Sequence, residues 1–303
     1  MLMSLRPKYR NIFPTQENYN TEGIILSDQV IASSDFLPPL SCPNFIVNDK
    51  IGEGTSSVTY RFPYRLAPFP LVVQFQPLAA TQTYHLINIS SLITQLYQYT
   101  PHIVIFIGYY FAPAVKIEKK RHLTPTSTEE FVIDSDSYGL IYEQVGQTLP
   151  LNLDDESKKH LVAQLFFTIE LLSRYGFNHG DISITNIGWI VNPSWQGRHL
   201  NNFTHYGYII DGKTYYIPSG PIIKLFDFNL TNYDDGEFRY IATDQVQDDY
   251  KMATDLAKEL LNSQDYQELI DNLSVNRLGW TCLFSSDSPQ PGNKIIILGN
   301  LPK

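Results

Sequence analysis

The chain has 303 residues, of which 43% are apolar and 17% are charged, and its net charge is −9 at pH 7. This composition is typical of a globular protein with a sizeable core, and it excludes a disordered or collagen-like chain. The negative net charge argues against a protein that binds nucleic acid through a basic field over its whole surface. No nucleic-acid partner is therefore predicted.

The two cysteines, Cys42 and Cys282, are far apart in the sequence and predict neither a disulfide framework nor a zinc site. No apolar run approaches the roughly 18 residues that a membrane-spanning helix requires. The N-terminus lacks the apolar core of a signal peptide. We therefore expect a cytoplasmic protein without a membrane span.

The first half of the chain predicts a β-rich region. Residues 1–43 contain five prolines and predict an irregular N-terminal arm. A helical spacing of apolar residues predicts a helix over 81–99, and the charged stretch 112–136 predicts an exposed insertion. Short apolar runs predict strands at 45–47, 57–62, 71–75, 103–111 and 138–143.

The second half predicts more helix. Acidic residues at 154–156 precede an apolar helical pattern and predict a helix that ends near residue 175. The other predicted elements are helices over 249–262 and 265–276 and short strands at 187–191 and 222–226. Strands followed by helices predict an α+β fold, with a β-rich lobe joined to an α-rich lobe.

Three motifs among these predicted elements indicate sites for binding phosphate, accepting a proton or binding a metal. Gly52 and Gly54 form a G-x-G turn between two predicted strands, where backbone amides can approach phosphate oxygens. Asp181 is followed five residues later by Asn186, which can place a proton acceptor and a metal-binding amide on one loop. Asp227 ends an apolar strand, a suitable position for a metal ligand.

With these motifs in this order, the sequence resembles the protein-kinase superfamily over roughly residues 44–262. The resemblance implies a two-lobed fold. Residues 44–146 would form the N-lobe and hinge, and 147–303 a shortened C-lobe with an insertion near 192–220. Within that insertion, residues 208–218 resemble an insertion found in kinases of large nucleocytoplasmic DNA viruses, which implies a viral origin and a location in host cytoplasm or virion. The residues themselves predict a β-hairpin that turns at Asp211 and Gly212.

The resemblance also implies roles for single residues. Asp181 would be the catalytic base, supported by Asn186, and Asn186 and Asp227 would bind Mg²⁺. ATP would bind between the lobes, with Tyr142 as gatekeeper. The residues implied to contact the nucleotide are Gly52, Gly54, Val58, Gln74, Glu143 and Val145.

Asp249 has two interpretations from sequence. By the resemblance it anchors the catalytic loop, and by its position it is a simple helix N-cap.

The sequence departs from the family pattern at several positions. Gln74 stands where the family has a strand lysine, 22 residues after Gly52, and the helix over 81–99 contains no acidic partner. Ser57 replaces the third glycine of the loop, and Gly180 replaces an arginine. Asn229 replaces the glycine after Asp227-Phe228, and asparagine can adopt the left-handed conformation that this turn needs.

These observations leave several functions open. The first is a Ser/Thr-type protein kinase that acts on a protein substrate with ATP and Mg²⁺. The second is a pseudokinase that acts as a nucleotide-binding or scaffold module. A small-molecule kinase has the same Asp–Asn–Asp set. Acidic residues between 227 and 249 favour either a basic substrate or a solvated face.

Overall fold

A computed structural model describes most of the chain, in two compact units. The N-terminal unit comprises the described residues of Lys8–Thr94 and Ile105–Gln144, and the C-terminal unit comprises Gln95–Val104 and the described part of Val145–Lys303. The structure describes residues 24–26, 50–53, 57–62, 70–77, 81–124, 127–146, 153–236, 239–240, 247–261, 266–275 and 279–301.

The N-terminal unit contains one sheet and one α-helix in its described part. Its elements are β1 (Ile24–Leu26), β2 (Lys50–Glu53), β3 (Val58–Phe62), β4 (Leu71–Pro77), α1 (Thr81–Thr94), β5 (Phe106–Thr124) and β6 (Ser127–Glu143). The sheet is antiparallel, in the order β1-β5-β6-β4-β3-β2. Apolar side chains of β3 and β4, among them Val58, Val73 and Phe75, are buried. Helix α1 is joined to β5 through Thr94, whose Oγ1 accepts from the Phe106 amide at 2.9 Å.

Two regions of this unit contain strands that the sequence did not predict. Residues 112–136 are mostly strand, because β5 and β6 continue as a long hairpin up to Thr124 and Ser127. Ile24–Leu26 lie in the predicted irregular arm, yet they pair with β5 as an edge strand. The predicted strand at 45–47 lies outside the described residues, as does the remainder of the arm.

The C-terminal unit contains three α-helices in its described part. They are α2 (Asp155–Arg174), α3 (Asp249–Leu260) and α4 (Gln267–Val275). Helix α2 begins as predicted, because the Asp154 side chain accepts from the Ser157 amide at 2.8 Å. Its apolar positions, which include Leu165, Phe166 and Ile169, are buried.

The same unit has more strand than the prediction of an α-rich lobe allowed. Its strands are β7 (Phe177–Asn178), β8 (Ile187–Ile190), β9 (Ser194–Trp195), β10 (Arg198–His199), β11 (His205–Ile210), β12 (Lys213–Pro218), β13 (Ile222–Leu225), β14 (Asn232–Asp234), β15 (Arg239–Tyr240) and β16 (Ile295–Asn300). The predicted hairpin is confirmed, because β11 and β12 turn at Asp211 and Gly212, both with positive φ. Strand β16 adds to β11 in parallel.

One strand pair determines where the predicted metal ligands lie. Strands β8 and β13 are antiparallel, and Ile187 at the start of β8 pairs with Leu225 at the end of β13. Asn186 precedes β8 and Asp227 follows β13, so both lie at the same end of this pair.

Among the helices in the described ranges, none combines the length and the apolar composition needed to cross a membrane.

Candidate functional site

The predicted catalytic loop, residues 179–186, follows β7 and is anchored by a buried carboxylate. Asp249 Oδ2 accepts from the His179 amide at 2.6 Å, and Oδ1 accepts from the Gly180 amide at 2.8 Å. The prediction that Asp249 anchors this loop is confirmed. The alternative is wrong, because the N-cap of α3 is Asp248, which accepts from the amides of Tyr250 and Lys251.

Burial governs the ionisation of Asp249. Its side chain is 4% exposed, and this burial raises the pKa of Asp249 to about 6, although the hydrogen bonds from Gly180 and His179 oppose the shift. The carboxylate is therefore ionised at pH 8, and it can accept both amide hydrogen bonds.

Gly180 is required by the backbone at this point. Its φ is +77°, and a Cβ there would lie 2.6 Å from the carbonyl oxygen of Leu230. Any larger residue would meet both a left-handed backbone and a steric clash. This contact explains why position 180 is a glycine.

His179 connects the loop to the end of β13. It is fully buried, and burial lowers the pKa of His179 to about 4, so the imidazole is neutral. Its Nδ1 accepts from the Asp181 amide at 3.3 Å. Its Nε2 therefore carries the proton and donates to the Phe226 carbonyl at 3.0 Å.

The predicted base and its partner are directly bonded. Asn186 Nδ2 donates to the Asp181 carbonyl at 2.9 Å and to Asp181 Oδ2 at 2.8 Å. Both amide hydrogens of Asn186 are thereby used, and its Oδ1 accepts no hydrogen bond from any residue in the described ranges. Asn186 also joins β13, because the Phe226 amide donates to its carbonyl at 3.1 Å.

Two hydroxyls near Asp181 have a structural role. Ser183 Oγ and Thr185 Oγ1 lie 2.8 Å apart and share a hydrogen bond. This arrangement agrees with loop hydrogen bonding rather than with a nucleophile.

Asp227 has a left-handed backbone, with φ 63° and ψ 69°. Such a conformation is uncommon for a residue other than glycine and is often found at functional sites. Burial raises the pKa of Asp227, hydrogen bonding from the Asn229 backbone lowers it in part, and the charge of Asp181 raises it again. The two carboxylates are therefore close enough to interact electrostatically.

The prediction for Asn229 is wrong in its mechanism. The left-handed residue of this turn is Asp227, and Asn229 is not among the residues with positive φ. Asn229 instead uses its side chain, and Nδ2 donates to Asp227 Oδ1 at 2.6 Å. Sequence reasoning missed this contact, although an asparagine two residues after an aspartate is the available signal.

The predicted nucleotide residues of the N-terminal unit lie on β2, β3, β4 and β6. Gly52 pairs with Thr59, and Val58, which is fully buried, pairs with Phe75. Gln74 does not project freely, because its Nε2 donates to Ser57 Oγ at 2.9 Å. Gly54 lies outside the described residues.

The two predicted hinge residues differ in their backbone contacts. The Glu143 amide donates to the Ile105 carbonyl at 2.9 Å, and its carboxylate accepts from the Ile105 amide at 3.3 Å. In contrast, no residue within the described ranges accepts from the Val145 amide. The Val145 side chain packs over Gly188, where a Cβ would lie 2.8 Å from Val145 Cβ.

Comparisons with known proteins leave the family unassigned. No family model matches the chain, and no curated protein matches it. The chain is similar to a crystal structure of a kinase domain, with 16% sequence identity and a TM-score of 0.43 over 79% of this chain. It spans 66% of the length of that domain. A likeness this partial assigns neither the fold nor the activity.

Proposed function

We propose that the chain is a protein-kinase-like phosphotransferase that uses ATP and Mg²⁺ and acts on serine or threonine in a protein substrate. One observation carries the proposal. Asp181 and Asn186, from one motif, and Asp227, from another, lie at one end of the β8–β13 pair. Asn186 is bonded to Asp181, and both Asn186 and His179 are bonded to the backbone of Phe226, the residue before Asp227. The convergence of these residues is the arrangement that the reaction needs.

The donor set fits Mg²⁺. In the part of the chain that the structure describes, no group of three or more His, Cys, Asp or Glu side chains is arranged to hold a metal alone. Mg²⁺ is commonly bound through one or two carboxylates, with phosphates and water completing its coordination. We propose that Asp227 and the Oδ1 of Asn186 bind the ion. When bound, Mg²⁺ would neutralise the charge of the transferring phosphate.

Asp181 would accept the proton that the substrate hydroxyl loses. Asp181 Oδ2 is held by Asn186, whereas Oδ1 accepts no hydrogen bond from the described residues. We propose that Oδ1 accepts the proton of the substrate hydroxyl. Asp249 and His179 hold the backbone that leads to this carboxylate, and Asn186 holds the carboxylate itself, so that its position is set before substrate binds.

A specific observation supports the alternative, a pseudokinase that binds nucleotide or a partner without efficient transfer. Gln74 occupies the position of the family's strand lysine and is hydrogen-bonded to Ser57, which is 4% exposed. A neutral amide in this pair supplies no charge to a phosphate, and lost electrostatic stabilisation of this kind typically costs several kcal/mol of barrier. The proposed partner in either case is a protein. The viral relationship and the cytoplasmic location remain predictions.

Nucleotide-dependent thermal stability tests the binding step. With Mg²⁺, ATP at ten times its Kd should stabilise the wild type by about 1.4 kcal/mol. Asp227→Asn should lose the part of this shift that depends on Mg²⁺, because the variant lacks the anionic ligand. The measurement is the Tm with ATP and Mg²⁺, compared with ATP and EDTA. Equal shifts in both proteins, or no shift in the wild type, would contradict the proposed metal and nucleotide site.

A further inference from the structure

Neither the sequence motifs nor the family pattern assigns a role to the side chain of Asn229. We propose that Asn229 is a positioning residue for the Asp227 carboxylate, and that it determines how tightly the chain holds a divalent cation. The proposal rests on the proposed function, because it takes Asp227 as a metal ligand.

The contact is short and involves a charged acceptor. Asn229 Nδ2 lies 2.6 Å from Asp227 Oδ1, and hydrogen bonds to an ionised acceptor are shorter and stronger than those between neutral groups. The bond engages one oxygen of the carboxylate and leaves Oδ2 for a cation. Rotation of the carboxylate about its own bond would break this contact, so Asn229 fixes the direction in which Oδ2 points.

The backbone conformation around this contact also supports a positioning role for the Asn229 side chain. Asp227 has a left-handed backbone, and the residues after it, Phe228–Leu230, form a single 3₁₀ turn. The bond from Asn229 closes this turn onto the Asp227 side chain. This hydrogen bond therefore holds the Asp227 carboxylate in one orientation relative to its strained backbone.

The neighbouring pair in the site has the same design. Asn186 Nδ2 donates to Asp181 Oδ2 at 2.8 Å, as Asn229 Nδ2 donates to Asp227 Oδ1. Each asparagine uses its nitrogen to hold a carboxylate and keeps its amide oxygen clear of that carboxylate. The site thus contains two Asn–Asp pairs, and Asn229 completes the second of them.

Outer hydrogen bonds of this kind have measurable effects in metal sites. Groups that orient a ligating side chain typically change metal affinity by about 10–100-fold when they are removed. We therefore expect Asn229→Ala to weaken cation binding by about tenfold. Asn229→Ser should retain an affinity close to that of the wild type, because its hydroxyl can donate to the same carboxylate two residues earlier.

The experiment is a Mn²⁺ titration of the full chain, followed by the enhancement of water-proton relaxation by protein-bound Mn²⁺. Wild type, Asn229→Ala, Asn229→Ser and Asp227→Ala are compared, and the Tm of each metal-free protein is measured alongside. We expect Asp227→Ala to lose binding, Asn229→Ala to weaken it and Asn229→Ser to preserve it, with similar metal-free Tm values for the two Asn229 variants.

Two results would overturn the inference while leaving the proposed function intact. They are wild-type affinity in Asn229→Ala, and a loss in Asn229→Ser as large as that in Asn229→Ala. If Asp227→Ala binds Mn²⁺ as tightly as the wild type, or if the wild type binds none, the metal role of Asp227 is wrong and the inference fails with it.

Discussion

Asp181→Asn should reduce phosphoryl transfer by about 10²–10⁴-fold, the usual contribution of a positioned general base. The substitution preserves the shape of the side chain but removes the oxygen that would take the substrate proton. The measurement is incorporation of the labelled γ-phosphate of ATP into a basic protein with Mg²⁺, because acidic residues are frequent between 227 and 249.

A matched control separates this effect from a general effect of charge. Asp287 is exposed, lies outside the site and can be changed to asparagine in the same way. Asp287→Asn should transfer phosphate at the wild-type rate. If Asp181→Asn and the wild type label the substrate equally, Asp181 is not the base, and the pseudokinase alternative gains support.

Asp249→Asn should lower the free energy of unfolding by about 3 kcal/mol, the largest effect on stability that we expect in the site. The ionised carboxylate accepts from two backbone amides, at 2.6 Å and 2.8 Å. An asparagine side chain has only one oxygen, so its nitrogen would face one of these donors. A buried donor left without an acceptor costs about 1–3 kcal/mol, and the loss of a charged acceptor adds to this.

Asp248→Asn is the control for this prediction. Asp248 lies beside Asp249 on the same helix but only caps it, and asparagine caps helices about as well as aspartate. We expect this variant to lose less than about 1 kcal/mol. Urea unfolding at pH 8, well above the pKa of Asp249, measures the two effects. Similar losses in the two variants would show that Asp249 does not anchor the loop.

Secondary-structure elements whose signals lie within one short stretch of chain were predictable from the sequence. The N-cap at Asp154, the acidic first turn and the apolar spacing of α2 all lie within one stretch of chain. The hairpin turn at Asp211 and Gly212 is equally local. In contrast, residues 112–136 alternate apolar and charged side chains only briefly, over 115–118, so their pairing as a long hairpin through backbone hydrogen bonds was not predictable.

The parts of the site that could not be predicted depend on contacts between distant segments. Two adjacent acids begin α3, and which of them anchors the loop is decided by amides 69 and 70 residues earlier. Gly180 is explained by the carbonyl of Leu230 rather than by its own neighbours. The bond between Gln74 and Ser57 likewise links two departures from the family pattern that the sequence presents separately.

The central claim is that Asp227 and Asn186 hold a divalent cation beside Asp181. It is tested most directly by the anomalous signal of Mn²⁺ in crystals of the wild-type protein grown with Mn²⁺ and a non-hydrolysable ATP analogue. We expect a Mn²⁺ ion about 2.1 Å from a carboxylate oxygen of Asp227 and from Oδ1 of Asn186. A Mn²⁺ ion bound to the analogue but in contact with neither residue would contradict it.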